Sequence, residues 1–156
     1  MAFLSWLEST AYVRWMLDSL VLYPLMLTGH ALGLALTVGV LLAIDLRLLG
    51  LYRTIPLTSI DRLLGLAWVG IGLNAFTGFS IFMTEATRYV TNVPFILKMT
   101  FVVLGSATLV AMQRLLRRNA VALETGQVPP GGRGLALGSV LFWTMAVVTG
   151  RLIAYL

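Results

Sequence analysis

Residues 19–44, SLVLYPLMLTGHALGLALTVGVLLAI, decide the fold: 26 positions pass without one formal charge. A helix rises about 1.5 Å per residue, so roughly 20 such residues cross the hydrocarbon of a bilayer. Residues 63–83, 94–113 and 135–155 are apolar runs of the same kind, interrupted only by Lys98 and Arg151. Four spans predict an all-α polytopic membrane protein, a four-transmembrane-helix bundle forming one integral membrane domain over residues 1–156. Ahead of them, residues 1–17 place Leu4, Leu7, Ala11 and Trp15 at helical spacing, with Ser5, Glu8 and Ser9 on other faces. Trp6, Tyr12 and Trp15 suit the headgroup level, so this segment is expected to be an interfacial amphipathic helix.

Composition agrees with that class. Hydrophobic residues make up 59% of the 156 positions and charged residues 11%, against roughly 45–50% and about 25% in soluble domains. The mean hydropathy is +0.94. The net charge of +5 comes from one Lys and ten Arg against six acids, and the basic residues sit between apolar runs. That placement fits lipid headgroups and topology control and predicts no nucleic-acid partner. With no cysteine, disulfides, thiolate metal sites and iron–sulfur clusters are excluded within the chain. The first ten residues lack a basic start and a small-residue cleavage pattern, so no cleavable signal peptide is expected.

Connections one and three carry seven basic residues (Arg47, Arg53, Arg62, Arg114, Arg117, Arg118 and Arg133). The other side receives four: Arg14, Arg88, Lys98 and Arg151. The excess predicts that connections one and three are cytoplasmic and that both termini lie outside. Thr58 or Ser59 is expected to cap the second span, with Asp61 complementing its dipole. Pro94 suits the first turn of the third span. Residues 126–134, with Pro129-Pro130 and Gly131-Gly132, read as a loop. Gly29-x-x-x-Gly33 and Gly134-x-x-x-Gly138 allow close helix approach, and a homo-oligomer through these faces is expected.

His30 is the only histidine and lies about halfway along the first span. A histidine in hydrocarbon is costly unless it faces a packed interior, a cavity or a ligand. Tyr23, Met26, His30, Gly33 and Thr37 follow at steps of three and four, and Gly33 suggests a hollow where a flat ring could lie. Three readings compete. His30 could hydrogen-bond another helix, with Asn74 or a threonine as partner; it could ligate a haem b; or Met26 and His30 could form a soft copper site. One histidine cannot build a bis-histidine haem, so Met26, Met83, Met145 or a neighbouring subunit would have to supply any second ligand.

Lys98 and Arg151 form a second constellation, expected at the level of Glu85 and Arg88. The bland reading is snorkelling to headgroups or pairing with Glu85; the functional one is an anion clamp for haem propionates or a quinone head. The third span presents Lys98, Phe101, Gly105, Thr108 and Met112 in one stripe, the fourth Thr144, Val148, Arg151 and Tyr155. Asp45 and Arg47 are expected to cap and anchor the first span. No nucleophile–base pair, carboxylate dyad or phosphate loop occurs, which favours a non-catalytic subunit.

The stretch Gly29-His30-Ala31-Leu32-Gly33 running into Ala43-Ile44-Asp45-Leu46-Arg47-Leu48-Leu49-Gly50 resembles an uncharacterised family of small four-helix bacterial inner-membrane proteins. So do Thr77-Gly78-Phe79-Ser80-Ile81-Phe82, followed by Tyr89, Asn92, Phe95 and Lys98, and the closing Thr149-Gly150-Arg151-Leu152-Ile153-Ala154-Tyr155. The pattern is more distantly similar to the membrane domain of copper-resistance D proteins and to four-helix cytochrome b membrane subunits. Those families bring several histidines where this chain has one, so the resemblance implies the fold and leaves the ligand open. The expectation is a membrane subunit of a redox or metal-handling system. His30 would bind haem b, assisted by Met26, Gly33, Asn74, Lys98 and Arg151, and a periplasmic redox or metal-binding protein would be its partner. The alternatives are a copper-handling protein using Met26 and His30, and a cofactor-free scaffold.

Overall fold

The computed structural model describes residues 1–52, 54, 56–119 and 124–155. Arg53, one of the basic residues of the first connection, lies outside them. Helices α3 (Leu22–Leu48), α4 (Ile60–Thr84), α6 (Val93–Arg118) and α7 (Gly132–Leu152) are long and apolar enough to cross a membrane, α4 with the 3-10 turn Leu57–Ser59 ahead of it. The protein is an all-α, multi-pass membrane bundle. Short helices α1 (Ala2–Glu8), α2 (Ala11–Asp18) and α5 (Ala86–Tyr89) gather at one end; we call it the His30 end, and the opposite one the Arg47 end.

The four spans form two antiparallel hairpins, α3 on α4 and α6 on α7, joined mainly by α3 against α7. Large buried apolar side chains concentrate toward the Arg47 end: Leu41, Ile44, Leu48, Ile60, Leu64, Leu109 and Met112. There α4 also meets α6, through Trp68 Nε1 donating to Gln113 Oε1 at 3.2 Å and Asp61 facing Arg117 at 3.6 Å. Toward the His30 end the buried positions are mostly small, among them Gly105, Ala146, Thr149, Thr77 and Ser80. A stack of Phe82 on Phe95, with centroids 5.6 Å apart, bridges the hairpins at the rim.

Several local expectations change. The N-terminal amphipathic segment is divided in two at Ser9-Thr10, because the Thr10 side chain accepts from the Val13 N–H and starts a second helix. Its buried residues are Leu7, Val13 and Met16, whereas Ala11 and Trp15 are exposed. Ser59 stands at the N-cap of α4 without a side-chain cap bond, as the 3-10 turn already bends the chain there. Asn92 caps α6 by accepting from Phe95 N–H at 3.0 Å, with Pro94 in the first turn. Gly131 at φ 85° makes the left-handed turn that lets α7 begin at Gly132, so the loop ends earlier than residue 134. Helix α3 runs on to Leu48, and Asp45 and Arg47 are buried in it, at 1% and 7% exposure, rather than capping its end.

The N-terminal pair is tied to the bundle by polar contacts. Glu8 Oε1 accepts the Thr87 N–H at 2.8 Å and the Thr87 hydroxyl at 2.7 Å, and the Tyr12 hydroxyl meets Ser80 Oγ at 2.9 Å. The two Thr87 donors hold the Glu8 carboxyl below its ordinary value of 4.5. A carboxylate lowered by folding stabilises the docked state fully above the free-chain value, and loses that contribution as pH falls through the docked value. Acidification below about pH 4.5 is therefore expected to loosen α1, read as a change in emission from the exposed Trp6. Glu8→Gln should flatten that transition; an unchanged acid transition in Glu8→Gln would assign it to another group.

Candidate functional site

The α3–α4 crossing is built from residues without bulk. A Cβ on Gly33 would stand 3.2 Å from the Gly70 carbonyl oxygen and 3.1 Å from Asn74 Nδ2, and one on Gly29 would stand 3.2 Å from Thr77 Cγ2. The hollow expected beside Gly33 is therefore filled, by Asn74 and the α4 backbone. Gly29 and Gly33 are used inside the chain. On α7, by contrast, Gly134 has no neighbour within 4 Å of its Cβ direction, and Gly138 has only ordinary contacts to Thr108 and Phe142.

His30 is half-buried within this crossing, between Gly29 and Gly33, and Gly78 makes room for it: a Cβ there would fall 3.0 Å from His30 Cε1. His30 Nδ1 lies 3.1 Å from Thr77 Oγ1. The Thr77 hydroxyl carries one hydrogen and gives it to the Leu73 carbonyl at 2.7 Å. With that bond made, the hydroxyl is left to accept from a ring N–H. Hydrogen-bond accounting assigns the proton to Nδ1 and leaves the lone pair on Nε2. That is the tautomer of a histidine ready to ligate through Nε2, its other nitrogen anchored by the protein.

Lys98 lies close enough to act electrostatically on the ring. Its stem crosses Gly150, with Cδ 3.3 Å from that residue's Cβ direction. Among the described residues it forms no ion pair, since Glu85 pairs with Arg88 at 2.7 Å. Asn74 Oδ1 is buried beside the crossing without a hydrogen-bond partner among the described residues. The structure thus brings His30, Thr77, Asn74 and Lys98 together near Gly33 and Gly78. Met26 is half-buried one turn from His30 toward the chain's start.

Arg151 departs from expectation. The predicted α7 stripe of Thr144, Val148, Arg151 and Tyr155 is exposed, and the buried face is Ala136, Ser139, Trp143, Ala146 and Thr149. Lys98 is the cation that acts on the ring, and Arg151 lies at an exposed position of α7. Two participants are not assigned to the site by the sequence, which offers only an unspecified threonine as a partner for His30. Thr77 sits 47 positions from His30, and Gly78 matters only because a ring packs on it. The small-residue pair Thr77-Gly78 was the available signal.

The described side chains bring one imidazole and one ammonium to the site. No group of three or more His, Cys, Asp or Glu able to hold a metal occurs among the described residues. Compared with protein-family models, curated proteins and solved structures, the chain matches none.

Proposed function

We propose that the chain is an inner-membrane subunit of a redox or metal-handling system in which His30 ligates a b-type haem through Nε2. The observation that carries the reading is the Nδ1–H bond to a Thr77 hydroxyl whose own proton is already committed. Thr77 orients the imidazole, Gly78 gives the ring clearance, and Lys98 offers a positive charge to an anionic edge. A bound haem supplies a one-electron carrier. Met26 or a neighbouring copy of the chain would supply any second ligand. The copper reading draws on Met26 lying on the His30 face, since thioether and imidazole suit Cu(I).

The visible spectrum and metal content of the purified chain test this. A Soret band that shifts on reduction supports haem; a colourless protein with stoichiometric copper favours the Met26/His30 copper site. Neither would leave the scaffold reading. The orientation, with both termini periplasmic, rests on the seven basic residues of connections one and three against four opposite. Since the chain has no cysteine, Gln127→Cys should resist a membrane-impermeant thiol reagent in intact cells, and Ser9→Cys should react. The reverse pattern would invert the topology.

A further inference from the structure

At the Arg47 end, far from His30, a half-enclosed cavity of about 490 Å³ lies between the end of α3, the loop 126–131 and the start of α7. Its wall carries Arg47 and Arg133, the Gln127 side, and the turn Pro129-Pro130-Gly131; among the described residues no acidic one lines it. Arg47 is 7% exposed, an unusual position for a guanidinium, whereas Arg133 is exposed on the rim. One of the two lining cations is buried and the other exposed.

We propose that this cavity binds a phosphate group, presented by an anionic lipid headgroup or as free phosphate. Two arginines bracket it, and guanidinium forks match tetrahedral oxyanions with paired hydrogen bonds where an ammonium gives only a point charge. Arg47 makes polar contacts of its own; with five N–H donors it can share the fork with a ligand. Helix α7 adds to the field. It begins at Gly131 with no side-chain cap and no acid in its first turn, so its positive end is not neutralised by its own sequence. The Pro129-Pro130 pair supplies no N–H and restricts the loop's backbone, which limits the ordering cost of a ligand. The cavity sits where two spans end, the level at which phospholipid phosphates lie.

The test uses the full chain in neutral detergent, with thermal melting followed by tryptophan emission. Phosphatidylglycerol is titrated against phosphatidylcholine, and inorganic phosphate against chloride. Stabilisation by phosphatidylglycerol but not inorganic phosphate identifies a lipid headgroup as the source; stabilisation by both identifies the phosphate group itself. Arg133→Gln, at an exposed position, should keep the fold and weaken the apparent affinity about tenfold, the loss of one charge-assisted contact. Arg47→Gln should weaken it further where it folds. The proposal is overturned if neither probe raises the melting temperature above its control, or if Arg133→Gln responds to the effective probe as the parent does.

Discussion

Gly70→Ala is expected to cost about 3 kcal/mol or more, a large effect for one methyl group. The added Cβ would run into Thr37 Oγ1 and stand 3.0 Å from the Thr37 backbone nitrogen and 3.1 Å from the Gly33 carbonyl oxygen. A side-chain end can rotate away, but two backbone atoms of α3 cannot unless the helices part. Parting them releases Thr37, which is fully buried and donates to the Gly33 carbonyl at 2.9 Å, and shifts Asn74 beside His30. Gly65→Ala, on the same helix with no atom within 4 Å of its Cβ direction, is the control and should be neutral or slightly stabilising. Thermal melting in detergent compares the two. Equal melting temperatures would mean that α3 and α4 do not cross at Gly33 and Gly70.

The second large effect belongs to Trp143, which is 5% exposed and packs flat against Gly105, its Nε1 and Cε2 2.9 Å from that residue's Cβ direction. This contact joins α6 to α7. Trp143→Ala should cost about 2–4 kcal/mol, toward the lower part of the range for core aromatics. Lipid is as apolar as the core, so the loss is mostly dispersion contacts rather than transfer from water. Trp143→Phe should recover most of it, because the indole N–H has no hydrogen-bond partner among the described residues. Unfolding by denaturing detergent measures both. A Phe variant as unstable as the Ala variant would show that the N–H is bonded, through a buried water.

The spans were legible because charge-free runs of that length have few other uses. Their inward faces were less so. On α7 the stripe ending in Arg151 and Tyr155 was chosen for its polar members, yet those residues are exposed and the buried face is Ala136, Ser139, Trp143, Ala146 and Thr149. In a membrane, hydrophobicity does not distinguish a lipid-facing side from a packed one; small residues do, and those were visible. Asp45 was read as an anchor because charge at the end of an apolar run usually marks the interface. Instead α3 continues past it, and Asp45 is buried inside the bundle. His30 stands out in the sequence by its rarity alone. Its tautomer was not legible, since that depends on Thr77 and Leu73 of another helix.

The central claim is that His30 Nε2 is a ligating nitrogen. The most direct measurement is the reduced-minus-oxidised visible spectrum of the purified chain beside that of His30→Gly, with and without added imidazole. The account predicts a redox-sensitive Soret band in the parent, its loss in a His30→Gly variant of unchanged helix content, and its return when imidazole fills the vacated space. Full haem retention by His30→Gly without imidazole, or a well-folded parent containing no haem, would contradict it.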